Sequence, residues 1–248
     1  MALKAFRGMP FGHTHENRAF NDLFDVLQQH CVSTEQDWYL LGNFYVGSRE
    51  LDAMIIKPNA LIIIDFKEFS GTLQFSEDGP WLMTCADTGD SVTVKGGASA
   101  NPLRQLRLNK IAMLDFLSRN LKDLNSLCNW RHTAALVAFQ GSVEFDRQHL
   151  PGGIKPWFHI SDTRSIVRDL DAIVSKEITL SPDSIERIIN ALGIESFVPA
   201  GVPTIRELCD QPAGRDAATR LTPLQSQVLH DFRSWLQTGN GVFRVSGM

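Results

Sequence analysis

Two rhythms of apolar and polar positions alternate along this chain. Over residues 14–30, Phe20, Leu23, Phe24 and Leu27 recur at the three-and-four spacing of a helix that buries one stripe, and Thr14 stands where a cap is needed. The rhythm then changes. Residues 38–46, 51–57 and 60–69 are dense in aromatic and β-branched side chains, with Gly47-Ser48 and Pro58-Asn59 between them, which predicts three consecutive strands joined by tight turns. Residues 71–75 and 81–84, on either side of Ser76-Glu77-Asp78-Gly79-Pro80, predict a hairpin that extends the sheet.

Asn101-Pro102 opens a long helix whose stripe is Leu103, Leu106, Met113, Leu114, Leu117 and Leu121. A buried strand is expected over 132–139 and a helix over 161–174. Ser181-Pro182-Asp183 caps a further helix with the apolar face Ile185, Ile188, Ile189 and Leu192. This order predicts an α/β fold, a mixed central β-sheet flanked by helices. Beyond it, Pro199, Gly201, Pro203, Pro212 and Gly214 punctuate a stretch with little periodicity, so the organisation reads as a domain over 1–195, a linker over 196–221 and a second segment over 222–248. There the pattern predicts a helix over 221–239 and a strand over 242–245, and the expectation is a truncated second domain.

Composition narrows the function. The 24 Lys and Arg against 28 Asp and Glu give a formal charge of −4, which excludes coating nucleic acid through bulk positive charge. Cys31, Cys85, Cys128 and Cys209 form no Cys-x-x-Cys pair, against a zinc ribbon or a disulfide framework, and a reducing cytoplasm fits best. No apolar run approaches the ~18 residues of a membrane span.

The chemistry is concentrated near the first strands. In Leu61-Ile62-Ile63-Ile64-Asp65-Phe66-Lys67, strand alternation projects Asp65 and Lys67 from one face, ~6.6 Å apart along the chain. Asp52 interrupts the preceding apolar strand in the same way. Carboxylates inside a sheet are costly unless a cation, a metal or several donors satisfy them, and a divalent cation between two of them relieves their repulsion. Glu16, four residues before Phe20 and seven before Leu23, lies on the core-facing stripe of the first helix. The plainer alternatives are a strand-end salt bridge for Asp65 and Lys67, and a favourable helix-dipole position for Glu16. His13 and His15 form a His-x-His pair with no nearby Cys or further His to complete a zinc shell.

This ordered set resembles the PD-(D/E)xK nuclease superfamily, and within it the nuclease-related domain (NERD) family. The matching pieces are Glu16 in Gly12-His13-Thr14-His15-Glu16, Glu50-Leu51-Asp52, Asp65-Phe66-Lys67 followed by Phe69-Ser70-Gly71, then Gly79-Pro80-Trp81 and Asn101-Pro102-Leu103-Arg104-Gln105, covering about residues 12–125. The family more often has Glu where Asp65 stands, and the Pro of the superfamily name is absent before Asp52. The resemblance implies Asp52 and Asp65 as ligands of Mg²⁺ or Mn²⁺, with the Phe66 carbonyl as a third oxygen and Glu16 joining the metal shell or its waters. It implies that Lys67 orients or helps to deprotonate the attacking water and stabilises charge at the scissile phosphate. Gln105 sits among Arg104, Arg107 and Lys110 on the long helix, and residues 101–134 hold six basic and two acidic side chains, either a phosphate-gripping helix or a solvated face.

Leu221-Thr222-Pro223-Leu224-Gln225-Ser226-Gln227 looks like the adenine-reading glutamine motif ahead of a helicase-like ATPase core, with Gln225 as the nucleotide-reading residue, and Val242-Phe243-Arg244-Val245-Ser246-Gly247 like the strand entering its phosphate loop. The expectation is therefore a metal-dependent nuclease domain acting on DNA, with RNA also open, joined to a helicase or ATPase that this chain lacks. The alternative is a module of the same fold that binds nucleic acid or a partner without cutting.

Overall fold

The computed structural model describes residues 3–33 and 36–197, all within the first of the chain's two units. Strand β1 (Leu3–Arg7) precedes helix α1 (Thr14–Ser33), and β2 (Trp38–Val46), β3 (Arg49–Lys57) and β4 (Ala60–Lys67) follow. Next come β5 (Gly71–Gln74), β6 (Trp81–Cys85) and β7 (Ser91–Val94), then helix α2 (Pro102–Asn120). The remainder is β8 (Ala134–Phe139), β9 (Val143–Glu144), β10 (Phe158–Asp162), helices α3 (Ile166–Ala172) and α4 (Pro182–Leu192), and β11 (Glu195–Ser196).

The main sheet runs β10-β8-β4-β3-β2-β1-β11, and a smaller sheet runs β7-β6-β5-β9. The main sheet mixes senses: β4 pairs antiparallel with β3 and parallel with β8, and β2 pairs antiparallel with β3 and parallel with β1. The continuous run Leu61-Ile62-Ile63-Ile64 of β4 has no polar face because both faces of the sheet are covered. One face packs α1 and α3 through Phe20, Leu23, Leu27 and Leu170. The other packs α2, α4 and the small sheet through Leu106, Met113, Ile188, Trp81 and Met83. The fold is thus a mixed α/β structure, a large mixed central sheet flanked by helices. Among the described residues no helix is long and apolar enough to cross a membrane.

Local sequence explains most elements. Asn101 caps α2 by accepting the Arg104 N–H at 2.9 Å, and its amide donates to the carbonyls of Ser76, Glu77 and Gly79, so one buried side chain starts the helix and fastens it to the β5–β6 turn. Gly71, at φ +132°, lies so close to the Thr84 carbonyl that a Cβ would clash, which accounts for the glycine after Phe69-Ser70.

The structure departs from the pattern in several places. The hairpin of β5 and β6, expected to extend the main sheet, belongs instead to the smaller sheet. Strands β1, β7 and β9 are short and are defined by their partners β2, β6 and β5. Residues 158–162, of which 161–162 were expected in a helix, form β10 against β8. The helix is delayed because the Asp162 carboxylate accepts the N–H groups of Arg164 and Ser165, a side-chain turn that competes with helix initiation, so α3 begins only at Ile166. Pairing also continues past the expected domain boundary, with β11 against β1 and Phe197 N–H donating to the Ala5 carbonyl. The expected helix over 221–239, the strand over 242–245 and Gln225 lie outside the described residues.

Candidate active site

Strands β3 and β4 stay paired from Lys57↔Ala60 up to Ala53↔Ile64 and then part. One step further along the same register, Asp52 faces Asp65. The Phe66 N–H, left without a ladder partner on β3, donates to Asp52 Oδ2 at 2.9 Å, so the carboxylate closes the fork between the strands. A strand residue points its N–H and C=O the same way, and the Phe66 carbonyl therefore also opens toward β3. Asp65, on the face of Leu61 and Ile63, is 2% exposed, and its Oδ1 accepts from Lys67 Nζ at 2.8 Å. Its other oxygen, Oδ2, is buried and has no hydrogen-bond partner.

The electrostatics follow from this crowding. Burial pushes the Asp52 carboxyl well above the ordinary carboxylate range, and the neighbouring Asp65 charge pushes it further. Burial also raises Asp65, with Lys67 holding the rise back. Burial by itself would lower the Lys67 pKa, but the charges of Asp65 and Asp52 outweigh it and leave it raised, so Lys67 is an ammonium at neutral pH. A strand-end salt bridge explains Lys67 and Asp65 Oδ1. It leaves Oδ2 without a hydrogen-bond partner and gives the charge of the partly buried Asp52 no ion-pair contact of its own beyond the Phe66 N–H.

Helix α1 brings the third acid over this end of the sheet. Glu16 is partly buried, its carboxyl raised chiefly by that burial, and it lies within the field of His13, His15, Glu50 and Lys67. His15 stands between two carboxylates, Nε2 at 3.9 Å from Glu16 Oε1 and Nδ1 at 3.8 Å from Glu68 Oε2, and stacks on His13 at 5.4 Å. Gln140 holds the helix there. Its side chain donates to the His15 carbonyl at 2.7 Å while its N–H donates to the Lys67 carbonyl at 2.8 Å. Asp52, Asp65, Lys67 and Glu16 are thus brought together. Sequence reasoning gave Gln140, Glu50 and Glu68 no task and weighed His13 and His15 only as zinc ligands. The available signal for Gln140 was its place as the first polar residue after a buried strand, at the carboxyl end where α/β sheets hold ligands. Among the described residues no set of three or more His, Cys, Asp or Glu side chains stands ready to hold a metal ion.

The basic residues of α2 are placed differently. Arg104 pairs with Asp78 and Arg107 with Glu77, each at 3.2 Å, and both acids belong to the β5–β6 turn. Lys110 lies over the Trp157 ring at 4.7 Å, with its pKa lowered by burial to about 8. Gln105 borders Gly97, and its Oε1 is buried without a hydrogen-bond partner.

The family model for the nuclease-related domain, NERD, matches residues 12–139, more than half of the chain. The chain belongs to the nuclease-related domain family. In this NERD protein the matched span runs from just before α1 to the last residue of β8, and so takes in Glu16, Asp52, Asp65, Lys67 and all of α2. Gln140 falls one residue beyond it. The match does not reach residues 222–248, and family membership lends no support to a helicase-like segment there. Comparison with proteins of curated function and with solved structures gave no significant match.

Proposed function

We propose that this NERD domain is a divalent-metal-dependent nuclease that hydrolyses phosphodiester bonds, with Mg²⁺ or Mn²⁺ as cofactor and DNA as the preferred substrate. The observation that carries the reading is the fork between β3 and β4, where a buried, unpartnered Asp65 oxygen stands beside a second, partly buried acid, Asp52, with one lysine for two carboxylates. This donor set is all oxygen, which suits a hard cation. Asp52, Asp65 and the Phe66 carbonyl would hold it. When bound, such a cation lowers the pKa of a coordinated water and offsets charge on a phosphoryl oxygen.

The chain's own groups supply the rest. Lys67, kept charged by its two acids, offsets the negative charge that grows on the phosphate as water attacks. Its raised pKa makes it a donor and an orienting cation rather than a base. Glu16 orients water at the open side of the site, where Gln140 fixes the start of α1. Segment 222–248, with Gln225, is read as the beginning of an attached ATPase.

The test is cleavage of linear and circular DNA, and of RNA, by the full chain in Mg²⁺, Mn²⁺ or EDTA. Cutting is expected only with the metals. Asp65→Ala should abolish it and Lys67→Ala should slow it ~10²–10³-fold, with circular dichroism unchanged. Wild-type rates from either variant refute the mechanism. A chain that binds DNA but cuts under no divalent ion is the non-catalytic module.

A further inference from the structure

Strand β8 carries the register of β4 across to the sheet edge, where Lys67 pairs with Phe139 and Phe139 with Asp162. These three residues form one row on one face, and two strand spacings place Asp162 ~10 Å from Lys67. Beside Asp162 lies a groove of about 480 Å³ lined by Val143, Phe145, Arg147, Ile160, Arg164 and Arg168, among others. Resting on the nuclease reading, we propose that this groove is a subsite for single-stranded nucleic acid, with the three arginines taking phosphates and Phe145 a base.

The charge balance of the groove supports this. Arg147 donates to His159 Nδ1 at 2.7 Å, and His159 is kept neutral because burial, helped by Arg147, lowers its pKa to about 4. Arg147 therefore keeps its whole charge. Asp162 is nearly buried and divides its carboxylate among the N–H groups of Val143, Arg164 and Ser165, the Ser165 hydroxyl and the Arg164 guanidinium. It works as a brace that aims Arg164 outward, with 64% of that side chain exposed. Asp169 accepts from the Ser161 hydroxyl at 2.8 Å and from Arg168, which remains 78% exposed. Arg164 and Arg168 each give two nitrogens to an acid, Asp162 and Asp169, while Arg147 has no acid partner, so three guanidiniums against two carboxylates leave the groove lining one net positive charge.

The floor is apolar, made by Val143, Ile160 and Phe145, all packed on the same core as the row of Asp65 and Val137. Guanidiniums and an aromatic ring lining one groove match a strand whose bases are unstacked, since a duplex hides its base faces.

The experiment measures binding apart from cutting. A fluorescent single-stranded oligonucleotide is titrated with the full chain in EDTA at several salt concentrations, and a duplex of the same length is run in parallel. Arg147→Glu and Arg168→Glu are the test variants, because Arg164 also braces Asp162, and thermal melting checks their fold. The double variant should bind at least tenfold more weakly, with the log-log salt slope reduced by ~1.4, or ~0.7 for each phosphate of a single strand that is no longer neutralised. Phe145→Leu keeps the packing and should weaken single-strand binding several-fold. An unchanged slope in the double variant overturns the subsite, as does a wild-type chain that binds no single strand or prefers the duplex. Asp65→Ala serves as the separate control. Cleavage abolished with binding and slope intact leaves both ideas standing. If the wild type never cuts yet the arginine variants lose binding, the subsite survives and the nuclease reading fails.

Discussion

A divalent cation should stabilise this protein measurably, and replacing Asp52 should remove that response. In the metal-free fold the buried Asp65 and the partly buried Asp52 share one ammonium, and desolvation with mutual repulsion raises Asp52 well above its ordinary range. A cation bound only by the folded state at 100 times its dissociation constant contributes ~2.7 kcal/mol. The described body has about 190 residues, and at ~2.1 cal/mol/K per residue its unfolding entropy is ~0.4 kcal/mol/K, so the melting temperature should rise by ~6–7 °C. Asp52→Asn keeps an oxygen to accept the Phe66 N–H while deleting the second charge. Without metal it should melt ~2–5 °C above the wild type, a gain of ~1–2 kcal/mol from relieved repulsion. With metal it should move little. The assay is thermal unfolding followed by circular dichroism, with Mg²⁺ or Mn²⁺ titrated in and EDTA as reversal. An equal metal shift in Asp52→Asn, or a metal-free variant that melts below the wild type, refutes the reasoning.

Two further outcomes test the surrounding fold. Asn101→Ala removes the α2 cap, worth ~1 kcal/mol, and leaves the carbonyls of Ser76, Glu77 and Gly79 without their donor, so urea unfolding should show a loss of ~2–4 kcal/mol, and a loss below ~1 would contradict the bracing role. His159 binds its proton only near pH 4 in the fold but near 6.5 when unfolded, because burial and Arg147 oppose its charge while Asp169 favours it. Its contribution is therefore complete above pH 6.5 and is lost as pH falls toward 4, by at most ~3 kcal/mol. Urea midpoints of His159→Gln should be flatter than wild type over that window, and parallel curves would count against the buried neutral imidazole.

What a single stretch of chain can decide was legible in the sequence. The stripe Phe20, Leu23, Phe24 and Leu27 is enough for α1, and the uninterrupted apolar run before Asp65 is enough for a strand covered on both faces. Strand alternation alone puts Asp65 and Lys67 on one face, and Asn101-Pro102 announces the start of α2. These are consequences of backbone periodicity and local hydrogen bonding, which need no partner from elsewhere. Tertiary structure decided everything that depends on register. Asp52 meets Asp65 only because β3 and β4 pair as Ala53↔Ile64 and then separate, and Gln140 reaches His15 only because α1 lies over the end of β8. The same holds for charge. Arg104 and Arg107 read as a free basic face until the β5–β6 turn supplies Asp78 and Glu77, and Arg147, Arg164 and Arg168 gather only at the edge strand β10, where Asp162 and Asp169 pair with the last two. Pairing between strands and the desolvation that shifts a carboxyl are set by neighbours distant in sequence, and periodicity carries no information about which neighbours those are.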